Sequence, residues 1–446
     1  MKPLKLYNTM SRSAEIFKPT KDGEVRLYAC GPTVYDYVHI GNFRTYINED
    51  ILRRVLELAG YQVTHVVNVT DVGHLTTDAD TGDDKVEKAS KESGMSARQL
   101  ADKYEEAFWE EWSKLDLLKP TITPHATEFI PEQIAFVKGL KEKGFVYETP
   151  DGLYFDVTKL PDYGKLWGQD LKEKWAGARV EVDSSKRNQA DFAVWKFSPK
   201  DQQRQMEWEF EGYGMGFPGW HLECSVMAEE CLGELPIDIH AGGVDHISVH
   251  HSNEIAQTQA LRGKPLANYW FHGEFLNINA EKMSKSLKNF TRVLDLDDPM
   301  AYKFLCYQTH YRKQMEFTPE SYEAAKKGLA RLRNLARTAA EGEDSSLEEL
   351  WQPLFNDLNV AEFLAGVMTF AQSPKATKDF YTHVDDVLAL DIFKETVIEI
   401  PAEVQELMDK RQDARTAGNY ELSDSLRDEI REMGFEVEDI SEPNRP

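Results

Sequence analysis

At 446 residues the chain is long enough for more than one domain, and its 41% hydrophobic and 29% charged residues are the balance of a water-soluble globular protein. No apolar run approaches the roughly 18 residues that a membrane-spanning helix needs, so no membrane partner is expected. The net charge of -25 argues against a protein that coats nucleic acid indiscriminately, while leaving room for a local basic groove.

The N-terminus, Met1-Lys2-Pro3-Leu4-Lys5-Leu6, lacks the apolar core and small-residue cleavage site of a signal peptide, which predicts a cytoplasmic protein. Residues 24–69 read as a strand–helix–strand unit. Residues 25–29 form the first strand and Gly31-Pro32 breaks it; a helix follows over 42–59, with Ile47, Ile51, Val55 and Leu58 on one face. Gly60 stops the helix, and residues 63–69 form a second buried strand. Parallel strands joined by a helix predict a doubly wound, Rossmann-like α/β sheet whose ligand site lies at the strand carboxyl ends. Residues 73–84 are a polar loop, and helical periodicity returns over 96–115 and 131–143. Residues 145–215 mix short strands, such as 154–157, with turns and charged stretches, as an insertion would. The strand at 236–240 precedes Gly242-Gly243 and a helix from near Val249, so the sheet resumes there. From residue 290 the pattern is almost continuous helix, with apolar periodicity over 317–340 and 347–371 and an exposed break at 341–346. A last pair of helices, 401–417 and 420–433, meets at Gly418-Asn419. The expected organisation is an α/β domain over 1–290 with a connective insertion at about 120–215, a helical bundle over 291–390, and C-terminal helices over 391–446.

Two short segments carry nucleotide chemistry. His39-Ile40-Gly41-Asn42 opens the first helix, and Lys282-Met283-Ser284-Lys285-Ser286 lies far downstream. A glycine at a helix start lets a nucleotide approach backbone N–H groups and the positive end of the dipole. An imidazole there can donate to phosphoryl oxygens as charge develops, and paired lysines can hold the leaving pyrophosphate. Alone, the first would be a turn and the second an exposed basic loop. Together, in this order, they resemble the two signature motifs of class I aminoacyl-tRNA synthetases, which bind ATP for amino-acid adenylation. The resemblance implies ATP contacts at His39, Gly41 and Asn42 and pyrophosphate stabilisation at Lys282 and Lys285. Met283, Ser284 and Ser286 complete the nucleotide-binding loop.

Four cysteines (Cys30, Cys224, Cys231 and Cys306) are too few and too scattered for a disulfide framework. Cys30 ends the first strand in A-C-G-P-T-V-Y-D, and Cys224 lies in P-G-W-H-L-E-C-S. The i, i+4 spacing of His250 and Glu254 puts both on one helix face. Two thiolates, an imidazole and a carboxylate suit zinc. The spacing itself leaves the ligand set open, because a free cysteine is most often a small buried hydrophobe and His246 and His251 fit the periodicity equally. Cys231 and Cys306 read as core residues.

These two segments and H-H-x-N-E-I-A-Q lie in order around the ATP motifs. With Asn68-Val69-Thr70-Asp71, residues 186–192, Trp195-Lys196 and residues 268–273, they resemble cysteinyl-tRNA synthetase over nearly the whole chain. That resemblance implies a zinc ion held by Cys30, Cys224, His250 and Glu254, with Trp220 and Thr70 in the amino-acid pocket. It also implies L-cysteine, ATP with Mg²⁺, and tRNA(Cys) as partners, with a monomer as one option for assembly. A substrate thiol binds zinc as thiolate where a serine hydroxyl binds poorly, which selects cysteine without editing. Four protein ligands would normally close such a site, so direct thiol binding needs a fifth position or a rearrangement. For tRNA, Lys326, Lys327, Arg331, Arg333 and Arg337 form a candidate phosphate-facing stripe, and the last two helices resemble the family's anticodon-binding end. The final segment, residues 439–446, departs from the family's usual Thr-Trp-containing end. A cysteine-activating ligase that transfers to a small amine would share the zinc and ATP motifs but not the helical C-terminal half. A non-catalytic zinc-dependent RNA-binding protein would not need His39, Lys282 and Lys285.

Overall fold

Two strands, Lys5–Asn8 (β1) and Ser13–Ile16 (β2), pair antiparallel at the start of the chain. Glu24–Ala29 (β3), Ile40–Leu58 (α1) and Gln62–Val67 (β4) then make the strand–helix–strand unit, with β3 and β4 parallel from Glu24↔Gln62 to Ala29↔Val67. After Ala97–Lys114 (α2) and Ile130–Glu142 (α3) come five strands: Val146–Thr149 (β5), Gly152–Phe155 (β6), Phe192–Phe197 (β7), Trp208–Phe210 (β8) and Gly214–Pro218 (β9). They form their own antiparallel sheet in the order β5-β6-β7-β9-β8. The chain returns through Trp220–Leu232 (α4) to Ile237–Gly243 (β10), then through Val244–Ile247 (α5) and His250–Arg262 (α6) to Ala267–Gly273 (β11). The computed structural model describes residues 2–73, 89–90, 93–168, 185–199, 204–278, 281–282, 290–343, 348–394 and 402–433. They fall into two compact units, Met1–Phe393 and Lys394–Pro446. Among the described residues no helix is long and apolar enough to cross a membrane.

The central sheet has the order β11-β10-β3-β4, and all its pairs are parallel. From β3 the chain moves outward to β4; it later re-enters at β10 on the other side of β3 and moves outward to β11. The connections therefore diverge between β3 and β10, and the crevice at their carboxyl ends is where a doubly wound sheet binds its ligand. Helix α1 covers the sheet with Phe43, Ile47, Ile51, Leu52, Val55 and Leu56. Leu58, expected on that face, is exposed: the stripe advances by four from Val55 to buried Ala59 and leaves Leu58 to one side.

Past residue 290 the expected near-continuous helix is interrupted by one strand, which joins two strands that precede it. Leu276–Ile278 (β12), Glu281–Lys282 (β13) and Met315–Phe317 (β14) form a small sheet around Pro299–Tyr307 (α7), with β12 and β14 parallel. Pro319–Thr338 (α8) follows as predicted. The stretch 347–371 is not one helix. Glu348–Trp351 (α9) tightens into a 3₁₀ turn over Gln352–Phe355, and Val360–Phe370 (α10) starts afresh under an Asn359 cap. Asp357 and Leu358 take positive φ, 59° and 50°. The Asp357 carboxylate holds that bend by accepting from Tyr7 N–H, the Tyr311 hydroxyl and the Arg312 guanidinium. Lys378–Leu388 (α11) ends the first unit's helices. The second unit is Ala402–Thr416 (α12) and Tyr420–Glu432 (α13), which bury Val404, Ala414, Leu426 and Ile430.

The basic stripe on α8 also needs correction. Arg333 is buried, donating to Asp298 Oδ2 at 3.0 Å, Leu390 O at 3.1 Å and Asp391 O at 3.1 Å, so it serves the fold rather than a phosphate. Lys326 is paired with Asp297 at 2.7 Å; Lys327, Arg331 and Arg337 are exposed.

A buried ion pair joins α1 to α7. Asp50 accepts from Leu118 N–H and Arg54 Nε at 2.7 Å each, and Lys303 Nζ lies 3.5 Å from its Oδ2 while donating to Leu115 O and Asp116 O. Burial pushes Lys303 down to about 8, against the pull of Asp50. An unfolded lysine titrates near 10.5, so between these values the unfolded chain binds more protons and stability rises with pH. Across pH 8 to 10.5 the wild-type protein should gain about 3 kcal/mol relative to Lys303→Met in urea unfolding. A pH-independent difference between the two proteins would contradict this.

Candidate active site

Cys30 follows β3 directly, and its N–H donates to Ala241 O of β10 at 3.3 Å, so the pairing that creates the crevice also places the thiol. Gly31 is required next: a Cβ there would lie 1.7 Å from Asn68 O, while its N–H donates to Asn68 Oδ1 at 3.0 Å. Cys224 sits one turn into α4, after Trp220, and His250 and Glu254 occupy successive turns of α6. One donor atom from each of Cys30, Cys224, His250 and Glu254 lies within 4.8 Å of the others, and all four residues are buried.

A second set, Cys30, His240, His251 and Glu254, satisfies the same distances. The two sets share Cys30 and Glu254. His240 Nε2 is committed to Glu254 Oε2 at 2.8 Å, and His251 Nδ1 to His272 Nε2 at 2.8 Å. Glu254 Oε1, by contrast, lies 3.2 Å from His250 Nε2 without a hydrogen bond. Two lone-pair atoms facing one spot, with two sulfurs beside them, is an arrangement that a cation completes. His250 Nδ1 meets His221 Nδ1 at 2.9 Å, and burial drives His221 down to about 3, so that ring is neutral and can accept. The buried cluster can therefore hold a metal.

The electrostatics agree. Burial first, then the hydrogen bond and charge of Cys224 and the charge of Glu254, push the Cys30 thiol well up. The hydrogen bond with Cys30 pulls Cys224 down, but burial and Glu254 leave it raised. Burial also holds His251 and His272 well below the usual imidazole range. His251 Nε2 lies 3.4 Å from Cys30 Sγ, and His272 Nδ1 reaches Thr9 Oγ1 at 2.8 Å, which continues the chain of contacts outward.

Above the cluster a cleft of about 340 Å³ is lined by Cys30, Cys224 and His250, and also by Trp220, Thr70 and Asn42. The Trp220 ring lies 4.5 Å from that of His250. The Thr70 hydroxyl accepts from Asn68 Nδ2 and donates to Glu223 Oε2, each at 3.2 Å. At the mouth, His39 caps α1. Its Nδ1 accepts from Asn42 N–H at 3.2 Å, and Asn42 Oδ1 accepts from His39 N–H at 3.4 Å. Accepting at Nδ1 puts the neutral ring's proton on Nε2. The first turn of α1 contains no acidic residue, and Gly41 N–H has no acceptor among the described residues. Lys282 lies in β13 opposite Asn277, whereas Met283, Ser284, Lys285 and Ser286 lie outside the described residues. Asn68, His221, His240 and His272 were given no role from sequence. Their only signal was their place inside stretches already conspicuous, W-H-L-E-C and H-A-G-G among them.

The fold has solved counterparts. Methionyl-tRNA synthetase from Mycobacterium tuberculosis in complex with methionyl-adenylate superposes with a TM-score of 0.57 at 13% identity, covering 82% of this chain and 89% of that one. A second structure of the same enzyme, bound by methionyl-adenylate, gives 0.57 at 14% identity over 84% and 86%. Residues 16–327 match the family model of the class I (C) tRNA synthetase catalytic domain, so the fold and crevice are those of a class I aminoacyl-tRNA synthetase. Residues 398–442 match the cysteinyl-tRNA ligase anticodon binding domain. Cysteine–tRNA ligase 1 of Burkholderia lata is 48% identical, covering 99% of this chain and 96% of its own length. The cysteine–tRNA ligase of Treponema denticola is 39% identical over 98% of each. The chain belongs to the cysteine–tRNA ligase family.

Gly242 tests the outer shell. A Cβ there would meet His246 Nδ1 at 2.5 Å and His251 Cε1 at 2.9 Å. Gly242→Ala should shift these rings and weaken metal retention by about 10–100-fold, read by competition with a chromogenic chelator. Retention equal to wild type would mean that the rings do not support the site.

Proposed function

We propose that the chain joins L-cysteine to tRNA(Cys) in the cytoplasm. The carboxylate of cysteine attacks the α-phosphorus of ATP, supplied with Mg²⁺, to give cysteinyl-adenylate and pyrophosphate. The 3′-terminal ribose hydroxyl of tRNA then attacks the carbonyl carbon and releases AMP. The observation that carries this reading is the buried pair of thiols, imidazole and carboxylate under the cleft that Asn42 also lines. We assign Cys30, Cys224, His250 and Glu254 as ligands of one zinc ion. When bound, zinc favours a thiolate over a hydroxyl, which separates cysteine from serine.

The remaining residues orient and stabilise. Trp220 forms the wall beside the substrate side chain, and Thr70 presents a hydroxyl fixed between Asn68 and Glu223. Gly41 N–H and the α1 dipole favour a phosphate at the helix start. His39 Nε2–H and Asn42 donate there as charge develops. Lys282 and Lys285, with Met283, Ser284 and Ser286, hold the leaving pyrophosphate, a role that rests on the motif. The same reading assigns catalysis to residues 1–290 with a connective insertion at about 120–215, tRNA binding to 291–390 and anticodon binding to 391–446. The match over 398–442 favours tRNA over a small amine as acceptor.

Two substitutions check this. Cys224→Ser should lower zinc content and cysteine-over-serine discrimination together, measured by elemental analysis and ATP–pyrophosphate exchange; full zinc content would remove Cys224 from the ligand set. His39→Asn keeps a good helix cap, so stability should stay within about 0.5 kcal/mol. Cysteine-dependent exchange should nevertheless fall by about 10²–10⁴-fold. Undiminished exchange would reduce His39 to a cap.

A further inference from the structure

Residues 290–292 form a strap across the start of α1. Thr291 O accepts the Ile40 N–H at 2.9 Å, taking one of the helix's unpaired first-turn donors. The Phe290 ring meets the His39 ring edge-on at 5.5 Å. Arg292 lies over the Tyr37 ring, 3.9 Å from its centroid, and Tyr37 lines the cleft. The strap is held from behind by Glu111, a buried carboxylate on α2. Its Oε1 accepts from Arg292 Nε at 2.7 Å and also from Nη2, and its Oε2 accepts from Val293 N–H at 3.0 Å. Arg292 is thus fixed on two sides, by one carboxylate oxygen that takes both its Nε–H and Nη2–H and by the face of a cleft-wall tyrosine. Tyr37 is braced in turn by Tyr104 of the same α2, ring to ring at 4.9 Å.

We infer that Glu111, acting through Arg292, is a positioning residue for adenylation. It presses the strap onto residues 37–40 and so sets where the His39 ring and the first N–H groups of α1 stand at the mouth of the cleft. A buried ion pair adds little to stability compared with an apolar pair of the same shape, but it fixes geometry strongly because its arginine fork accepts one arrangement. Such geometry matters most where donors must meet developing charge, since small misplacements cost rate rather than binding. The effect should therefore fall on the ATP side of the reaction. Cys30, Cys224 and His250 are reached by other elements, so selection of the cysteine side chain should be unaffected.

The inference rests on the adenylation reading, and ATP–pyrophosphate exchange on the full chain tests both. Glu111→Gln keeps the shape and removes the charge. It should lower kcat by about tenfold or more while the KM for cysteine and the zinc content stay within about twofold. Arg292→Gln should do the same, and the double variant should be no worse than either single one, because the two residues act as one unit. Glu111→Asp, which retains the carboxylate, should recover part of the rate. Amide exchange at Ile40 should quicken by about tenfold in Glu111→Gln with the thermal midpoint little changed, a readout that needs no substrate. Wild-type kcat in Glu111→Gln, additive losses in the double variant, or a KM for cysteine that rises with the loss of kcat would each overturn the inference. Wild-type protein without cysteine-dependent exchange would instead overturn the adenylation reading.

Discussion

Two thiols and a carboxylate share one buried spot at the divergence of the central sheet, and this constraint organises most of the first unit. Cys30, Cys224 and Glu254 are all buried, and burial together with the charge of Glu254 pushes both thiols up. The imidazoles around them are kept neutral by the same burial and supply no compensating charge. A cation entering beside these thiols would favour their deprotonated forms and oppose that upward push. Proton release and metal binding are then one event, coupled to the integrity of the fold.

That coupling explains why the shell is built from so many elements. Glu254 is oriented by His240 of β10, His250 by His221 of α4, and Cys30 approaches His251, which leans on His272 of β11 and through it on Thr9. Each link fixes a ring orientation, and each ring leaves one nitrogen for its inward task. The close packing this needs admits no side chain at Gly31 or Gly242, where a Cβ would strike Asn68 O or the His246 and His251 rings. β10 can therefore continue through Gly242 and Gly243 as strand, although the pair reads as a break in sequence.

How much was legible follows from which interactions are local. The strand ending at Cys30, the helix opening at His39 and the shared face of His250 and Glu254 are set by neighbours a few residues away, and periodicity revealed them. Thr70 and Trp220 lay within recognisable segments. Spacing does not choose between His250 and His251, and the partners of both rings are distant: His221 is 29 residues from His250 and His272 is 21 residues from His251. β14 exists because β12 offers a parallel partner, and the bend at Asp357 exists because Tyr7, Tyr311 and Arg312 converge on its carboxylate. Arg333 read as a surface cation because its acceptors, Asp298, Leu390 and Asp391, lie in other elements. In each case a long-range partner overrode a sound local preference.

The overall charge poses the remaining question, since a chain of net charge -25 must gather polyanionic substrates. Screening confines the answer to short range. At physiological ionic strength the Debye length is about 8 Å, so acidic groups on distant faces contribute little at the cleft. The cleft lining includes Asp36 and Asp245, and beside them lies the acid-free first turn of α1, with Lys103 over Tyr37 and Arg292 against the same ring. Arg292 is balanced there by Glu111, which leaves Lys103 and the helix start to supply positive potential, while the burial of Arg333 removes one cation from the outer surface. Attraction of a phosphate therefore rests on fixed N–H donors and a local cation rather than on net charge, and the acidic remainder of the surface discourages indiscriminate binding of nucleic acid.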